Sequence, residues 1–144
     1  MGARTIAGVR VLIIAVGKAR SPYADDVAHY AKHLQPRAQV EQVEVRDTAA
    51  AIKRIPARAA TVVLDPRGKV YDSPGFAKFI EQRQLDARPL CFVIGGADGI
   101  DLPDADHMIS FGPMTLPHQL ARVVLLEQLF RAYTIIAGEP YHRE

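Results

Sequence analysis

Short apolar segments alternate with amphipathic segments along most of the chain. Val11–Val16 holds six consecutive apolar residues and ends at Gly17, a pattern typical of a strand buried on both faces of a sheet. Four further segments predict strands at residues 40–45, 60–64, 90–94 and 107–110. The polar residues between Val40, Val43 and Val45 place the second strand nearer an edge. The intervening segments carry apolar residues at helical spacing and predict helices that begin near residues 22, 48, 74 and 117.

Strands and helices therefore alternate over the whole length, and no linker or internal repeat divides the chain. This pattern predicts one α/β domain over residues 1–144, with a mainly parallel sheet and helices on both faces. Residues 1–9 precede the first strand, and we expect them to form a disordered extension.

Proline, serine and glycine mark the ends of the predicted helices. Ser21-Pro22 and Ser73-Pro74 each offer a capping hydroxyl followed by a proline at the first helical position. Pro117 begins the last helix, which runs to Ala137 and ends at Gly138, the residue type that most often follows a helix in the left-handed conformation. We therefore expect both serines to act as N-caps.

The last helix is apolar around most of its circumference. At 100° per residue, His118 and Arg122 lie on one side of it, and Glu127, Arg131 and Thr134 lie near the opposite side. Two interpretations fit: a deeply buried helix with a polar start, or a helix that packs on its own sheet and on a second subunit. We favour a homodimer, because obligate interfaces resemble a domain core cut in half.

The composition is that of an ordinary globular domain. The chain has 144 residues, 18 Lys and Arg, 16 Asp and Glu, one Cys and no Trp. A lone Cys91 excludes an intramolecular disulfide and fits a reducing compartment. The sequence has neither an apolar run long enough to span a bilayer nor the apolar core of a signal peptide, so we expect a cytoplasmic protein.

The small net charge of +2 conceals an uneven distribution. Residues 1–70 carry 12 basic and 6 acidic side chains, whereas residues 71–144 carry 6 basic and 10 acidic ones. The excess of +6 in the first half permits a basic face for a polyanion such as a nucleic acid. A solvated surface with scattered charges is the plainer interpretation.

Three loops should meet at the carboxyl edge of the predicted sheet, where open α/β domains bind ligands. They span residues 64–69, 95–99 and 111–116. Gly95 and Gly96 would let a ligand approach the backbone, although a plain tight turn explains them equally well. The sequence lacks GxGxxG, GxxxxGK[ST], GxSxG and HExxH patterns, which argues against several common nucleotide, nucleophile and metal sites.

The C-terminal segment 138–144 places an aromatic ring, an imidazole and a guanidinium in succession. One interpretation is a frayed chain end. The other is a functional tail in which Tyr141 stacks on a base, His142 transfers a proton and Arg143 binds phosphate.

Five segments carry a resemblance over nearly the whole chain, from about Val11 to Glu144. They are Leu64-Asp-Pro-Arg-Gly-Lys, Phe92-Val-Ile-Gly-Gly-Ala-Asp-Gly, Thr115-Leu-Pro-His-Gln-Leu-Ala-Arg-Val, Glu127-Gln-Leu-Phe-Arg-Ala-Tyr and the terminal Pro140-Tyr-His-Arg-Glu. In this order they resemble the small SPOUT-class methyltransferases of the bacterial ribosome, specifically the large-subunit (23S) rRNA pseudouridine N3-methyltransferase family.

The resemblance implies a deep C-terminal trefoil knot that binds S-adenosylmethionine, in a homodimer whose two subunits shape each active site. No metal is implied. The positions that match cofactor contacts are Leu64, Gly95, Gly96, Phe111, Gly112, Pro113, Met114, Thr115 and Leu116. The positions that match catalytic or RNA-contacting residues are His118, Arg131, Tyr141, His142 and Arg143. The family also implies action on 23S rRNA within assembled ribosomes, since no RNA-binding domain is appended.

The chain departs from the family pattern at a few positions. Ala97-Asp98 stands where Pro-Glu is common, and Gly112-Pro113 differs from the Ser-Ala often found there. We hypothesise that His142 removes the N3 proton and that Arg143 or Arg131 stabilises the resulting anion. The alternative is a non-catalytic ribosome-associated binding protein with the same fold; an enzyme for another nucleotide-like cofactor rests on fold analogy alone.

Overall fold

A five-stranded parallel sheet organises the computed structural model, which describes residues 10–143. The strands are β1 (Val11–Val16), β2 (Val40–Val45), β3 (Ala60–Val70), β4 (Leu90–Ile94) and β5 (His107–Ser110). The helices are α1 (Tyr23–Leu34), α2 (Thr48–Arg54), α3 (Ser73–Gln84) and α4 (His118–Ala137). The sheet order is β2-β1-β4-β3-β5, and every adjacent pair is parallel. The predicted α/β fold with a parallel sheet is confirmed.

Two apolar clusters cover the two faces of the sheet. Alternate residues of each strand point to opposite faces, so Ile13 and Phe92 join the cluster under α1, α3 and α4. Their neighbours Ile14 and Val93 join the smaller cluster under α2. Both clusters are almost fully buried. The near-continuous apolar runs of β1 and β4 follow from this two-sided burial.

The second strand lies at an edge of the sheet, as its alternating pattern predicted. It pairs only with β1 among the described strands, and its residues are half-buried or exposed. The opposite edge is formed by β5, which pairs with β3.

The third strand extends further than the sequence predicted. Pairing with β5 runs to Leu64, shifts register, and resumes at Lys69. Residues 65–68, predicted as a loop, therefore form an irregular bulge within β3. At Gly68 an added Cβ would lie 2.6 Å from the carbonyl carbon of Met108, so only glycine allows this close approach of the two strands.

The prediction that the two serines act as N-caps is wrong. The first helix begins after Pro22 with no side-chain cap, and Ser21 makes no capping hydrogen bond. In α3 the cap is Asp72, whose carboxylate accepts a hydrogen bond from Gly75 N at 2.8 Å. Ser73 is instead the first helical residue. A carboxylate one position earlier satisfies the free N–H groups of the first turn, which leaves the serine hydroxyl to bond elsewhere.

The last helix has the predicted limits but a different polar pattern. It ends at Gly138 with φ of 73°, as the C-cap interpretation requires. However, Arg122 and Thr134 are buried in the interior, with 5% and 1% of their surface exposed. Arg122 is ion-paired there, and the Thr134 hydroxyl donates to the carbonyl of Arg131. These internal partners explain why two polar residues lie on the buried side of the helix.

Within residues 10–143, no helix is long and apolar enough to cross a membrane. The expected disorder of residues 1–9 concerns a segment outside the described residues.

Candidate active site

A cavity of about 560 Å³ opens at the carboxyl edge of the sheet. The three loops that the sequence singled out line it together, along with the first turn of α4. The predicted cofactor-contact residues that line the cavity are Leu64, Gly95, Gly96, Phe111, Gly112, Met114, Thr115 and Leu116. Pro113 belongs to the same loop but is not one of the lining residues. The volume is within the range of small-molecule and cofactor sites.

The glycine loop after β4 is closed on itself. Gly99 N donates to the carbonyl of Gly96 at 2.9 Å, and the two residues form an isolated bridge. An added Cβ at Gly95 would lie 2.6 Å from the carbonyl carbon of Gly99. At Gly96 it would lie 3.2 Å from Val16 Cγ1. The turn is therefore tight and also lines the cavity, so the two interpretations of these glycines are compatible.

The loop after β5 is held by one hydroxyl. Ser110 Oγ accepts from Gly112 N at 2.9 Å and donates to the carbonyl of Gly112 at 2.7 Å. Gly112 has φ of +123°, a backbone conformation that other residues rarely adopt. The departure from the family pattern at this position is therefore compatible with an ordered cavity wall.

One wall of the cavity carries a fixed negative charge. Asp65 lines the cavity and accepts two hydrogen bonds at 2.9 Å from the Arg67 guanidinium and one at 2.8 Å from Arg67 N. The side-chain and backbone hydrogen bonds from Arg67 lower the pKa of Asp65 to about 2. This carboxylate is ionised at neutral pH.

His118 is the one predicted catalytic residue that lines the cavity. It is the first residue of α4, and its Nε2 lies 3.7 Å from where a Cβ on Gly17 would stand. The loop between β1 and α1 thus passes beside the imidazole.

The other predicted catalytic residues form a cluster at the opposite end of α4. Arg131 Nη2 donates to Glu127 Oε2 at 2.8 Å, and Arg131 Nη1 lies 2.9 Å from His142 Nδ1. The Tyr141 hydroxyl donates to the same Glu127 oxygen at 2.8 Å. Arg143 is exposed beyond the cluster. Sequence reasoning did not single out Glu127, although its position four residues before Arg131 is the spacing of a helical ion pair.

The ring nitrogens of His142 have different roles. A guanidinium only donates hydrogen bonds, so Nδ1 accepts from Arg131. A neutral imidazole in this contact carries its hydrogen on Nε2. That atom is buried and has no hydrogen-bond partner among residues 10–143. In this arrangement the free hydrogen-bonding atom of His142 is Nε2, and it is a donor.

The tail is fixed against the protein rather than frayed. The Tyr141 ring meets Phe130 edge-on with centroids 4.7 Å apart, and the Arg131 guanidinium lies 4.8 Å from the Tyr141 centroid. Glu139 forms an ion pair with Arg37. Burial and the hydrogen bond to Glu127 raise the pKa of Tyr141 to about 12. The frayed-end interpretation is wrong for residues 139–142.

The two clusters are far apart within one protomer. Arg131 lies thirteen positions after His118 in the same helix, which corresponds to about 20 Å along the axis at 1.5 Å per residue. A single chain in this arrangement does not bring its tail onto its own cavity.

Other candidate groups offer no second centre. Burial raises the pKa of the Cys91 thiol to about 12, so it is protonated and unreactive at neutral pH. His33 Nδ1 is hydrogen-bonded to the carbonyl of His29 at 2.9 Å. Among residues 10–143, no three His, Cys, Asp or Glu side chains are grouped so that they could hold a metal ion.

Comparisons with known proteins agree with this architecture. Residues 9–142 match the model of a family described as predicted SPOUT methyltransferases. Similar proteins named ribosomal RNA large subunit methyltransferase H occur in Acidiphilium cryptum (43% identical, covering 96% of this chain and 97% of the relative) and in Paracoccus denitrificans (46%, covering 94% and 100%). A third, from Carboxydothermus hydrogenoformans, is 40% identical over 94% of this chain and all of the relative. This chain belongs to the SPOUT methyltransferase family.

Proposed function

We propose that this chain methylates N3 of a pseudouridine in large-subunit (23S) rRNA on assembled ribosomes, with S-adenosylmethionine as methyl donor. The observation that carries the proposal is the cavity at the carboxyl edge, which gathers the cofactor-contact positions implied by the resemblance. The relatives named as large-subunit rRNA methyltransferases support the substrate class. An enzyme with this substrate would work in the cytoplasm.

The residues of the cavity fit the proposed cofactor. Leu64, Ile94 and Phe111 offer apolar walls for an adenine ring, and the tight turn at Gly95 and Gly96 brings backbone polar groups to the cavity. Asp65 lines the wall as an ionised carboxylate whose charge is compensated by Arg67, so it offers the ligand hydrogen-bond acceptors rather than net charge. When bound, S-adenosylmethionine supplies a methyl group already activated by its sulfonium, so no metal is required.

The work left to the protein is alignment and proton removal. Holding the methyl group and the nitrogen in line replaces a bimolecular encounter, which can lower the barrier by about 7–11 kcal/mol. His118 lines the cavity, and its proposed role is to contact the substrate. The N3 proton must leave, and a cation near the ring would stabilise the anion that forms.

We further propose that the active site is completed by a second subunit. Leu120, Val124, Gln128, Arg131 and Ile135 form a half-buried stripe along α4. A two-fold axis across the middle of this stripe would place the start of one α4 beside the end of its partner. The tail of one subunit, with Tyr141, His142 and Arg143, would then lie beside the cavity of the other. The half-buried stripe and the distance between cavity and tail within one chain support this homodimer with a shared site.

We also propose that residues 1–144 form one SPOUT domain whose C-terminal segment is threaded as a deep trefoil knot, with residues 138–144 as the functional tail. The support is the resemblance, together with the cavity in which the bulge within β3 and the loops after β4 and β5 meet the start of α4. Such knots are very rare in other folds.

In the proposed chemistry, His142 takes the N3 proton and Arg131 or Arg143 stabilises the anion. The Arg131 contact occupies Nδ1, so His142 gains a free lone pair only when substrate displaces that guanidinium. We expect H142A to lower the single-turnover rate by about 10²–10⁴-fold, the usual contribution of an acid–base group. Near-normal methylation by H142A would overturn the base assignment.

The function itself is tested by mass spectrometry of rRNA from cells with and without the gene. We expect one pseudouridine of the 23S rRNA to lose 14 Da, the mass of a methylene, in the deletion strain and to regain it on complementation. Unchanged rRNA would contradict the proposal. A non-catalytic ribosome-binding protein would fail to bind S-adenosylmethionine in calorimetric titration, and equal turnover on naked rRNA would contradict the need for an assembled particle.

A further inference from the structure

A short basic loop lies beside the cavity and has no part in the chemistry described above. It consists of residues 17–22 and joins β1 to α1. The loop begins at Gly17, next to His118, and contains no acidic residue. Lys18 and Arg20 are exposed, and neither side chain takes part in a hydrogen bond or ion pair within residues 10–143.

Although its two cations are exposed, the backbone of this loop is firmly held. Glu44 Oε2 accepts a hydrogen bond from Ala19 N at 2.8 Å. Gln119 Oε1 accepts one from Arg20 N at 2.7 Å. The loop is thus fixed from the edge strand β2 on one side and from the first turn of α4 on the other. A fixed backbone lowers the entropy lost when a ligand binds to the side chains it carries.

A buried arginine holds the Glu44 side chain that fixes this loop. Arg122 Nη1 donates to Glu44 Oε2 at 2.8 Å, and Arg122 Nε donates to Gln42 Oε1 at 2.9 Å. Burying a cation is costly unless it is paired, and Glu44 provides the partner. Because Arg122 compensates the Glu44 charge, Glu44 can hold the loop while most of the positive potential of Lys18 remains available to a ligand.

The positive surface continues at the end of β2 and stops at α1. Gly17 N donates to the carbonyl of Val45 at 2.8 Å, which brings Arg46 next to the loop. The Arg46 side chain is 92% exposed, and its Nε lies 3.9 Å from the Asp47 carboxylate, so its charge is partly compensated. Asp25 and Asp26 lie in the first turn of α1, where carboxylates stabilise a helix N-terminus. The cationic surface is therefore local and adjoins the cavity.

We propose that loop 17–22 binds the phosphate backbone of the target rRNA through Lys18 and Arg20, and so positions the nucleotide at the cavity. This inference rests on the proposed function. Phosphate contacts fix register and orientation on a nucleic acid without reading sequence, which suits two cations on a fixed loop next to the reacting centre. The loop would account for part of the basic excess in the first half of the chain.

The test compares two double variants of equal charge change. K18A/R20A removes the loop cations. K53A/R54A removes two exposed cations at the end of α2, which leads to the amino end of β3, whereas loop 17–22 follows the carboxyl end of β1. Binding to unmodified ribosomes from a gene-deletion strain is measured at several salt concentrations, together with calorimetric titration of S-adenosylmethionine. We expect K18A/R20A alone to weaken ribosome binding by on the order of tenfold and to reduce the slope of log affinity against log salt by about 1.5–2.

A variant at an uncharged residue separates the effect of the loop cations from the effect of the hydrogen bond that holds the loop. Q119A removes the acceptor of Arg20 N but no cation, so we expect weaker ribosome binding with an unchanged salt slope. Cofactor affinity should stay unchanged in all three variants, which also reports that they are folded. If Q119A lowered the slope as much as K18A/R20A, the slope would not report these cations and the inference would be wrong.

The outcomes separate the inference from the proposed function. If the wild-type protein methylates ribosomes and K18A/R20A behaves as K53A/R54A does, only the inference falls. Weaker binding of K18A/R20A with no change in salt slope would indicate contact with a protein surface and would also overturn it. If the wild-type protein neither binds nor methylates ribosomes, the proposed function fails and the inference falls with it.

Discussion

The two ends of α4 carry different kinds of chemistry. At its start, the cavity is lined mainly by apolar side chains and by backbone at Gly95, Gly96 and Gly112, with Asp65 and His118 at its wall. At its end, Glu127, Arg131 and the tail residues form a network of charged side chains. The first end depends on the close approach of backbone segments, whereas the second depends on the identity of particular side chains.

This difference teaches where the chain tolerates substitution. The departures from the family pattern at residues 97–98 and 112–113 all lie at the backbone-built end. Ala97 and Asp98 are both exposed, and of the two only Ala97 lines the cavity. At the other end the terminal Tyr-His-Arg-Glu matches the pattern in full. The contrast leads to three predictions, given from the largest expected effect to the smallest.

The largest effect is expected from G95A. The new Cβ would lie 2.6 Å from the Gly99 carbonyl carbon and 2.8 Å from Ile100 N, so the loop must shift. Overpacking of this kind costs about 1–3 kcal/mol. We expect the affinity for S-adenosylmethionine, measured by calorimetric titration, to fall by about 10- to 100-fold.

The matched control is D98N, at an exposed residue of the same loop that does not line the cavity. Its cofactor affinity should equal that of the wild type. If G95A bound as tightly as D98N, the cavity would not depend on the backbone packing at this glycine.

A smaller effect, confined to catalysis, is expected from E127Q. The substitution removes the carboxylate that holds Arg131 and the Tyr141 hydroxyl. Hydrogen bonds to charged groups contribute about 1.5–3 kcal/mol each. Because the glutamine oxygen still accepts hydrogen bonds, only their charge-assisted part is lost, and we expect the single-turnover methylation rate to fall by about 5- to 30-fold, with cofactor affinity unchanged.

The control for E127Q is R37A, which breaks the more exposed ion pair between Arg37 and Glu139. Exposed pairs contribute little, so the rate should change by less than about fivefold. A loss of cofactor affinity in E127Q would contradict the separation of the two ends.

The smallest effect is a pH dependence at the cavity end. The pKa of Asp65 is about 2 in the folded protein, below its ordinary value of 3.8. A lowered folded-state pKa stabilises the protein fully above the unfolded value, and this contribution is lost as the pH falls from about 4 to 2. The free energy of unfolding is measured with urea at several pH values between about 5 and 2. The difference in this free energy between the wild type and D65N should shrink as the pH falls through this range. A difference that stays constant would contradict the lowered pKa of Asp65 in the folded protein.

Most helices and strands could be predicted because the residues that determine them are close together in the sequence. The burial of β1 and β4 and the limits of α4 follow from apolar runs and from Gly138. The failed caps show where such signals compete: Asp72, one residue before the Ser-Pro pair, provides the cap. The sheet order and the bulge at Gly68 depend on contacts between distant segments, which a single sequence does not encode in a readable pattern.

The candidate site was predictable to a similar degree. The three loops and the tail were singled out from their own residues, the resemblance assigned roles to individual positions, and the structure brings the three loops together at one cavity. The burial of Arg122 could not be predicted, because it depends on Glu44, a residue 78 positions away in the chain. Glu127 could have been found from its spacing to Arg131, but a helical ion pair is usually a surface feature and gave no reason to single it out.

The central claim is that the cavity of one subunit and the tail of the other form one methylation site. It is tested most directly by co-expressing G95A and E127Q chains with different affinity tags, purifying the heterodimer and measuring single-turnover methylation of unmodified ribosomes. One of its two sites would then combine an intact cavity with an intact tail, and we expect about half of the wild-type activity per dimer. A heterodimer as inactive as either parent would contradict the shared site, because each chain would then be using its own tail.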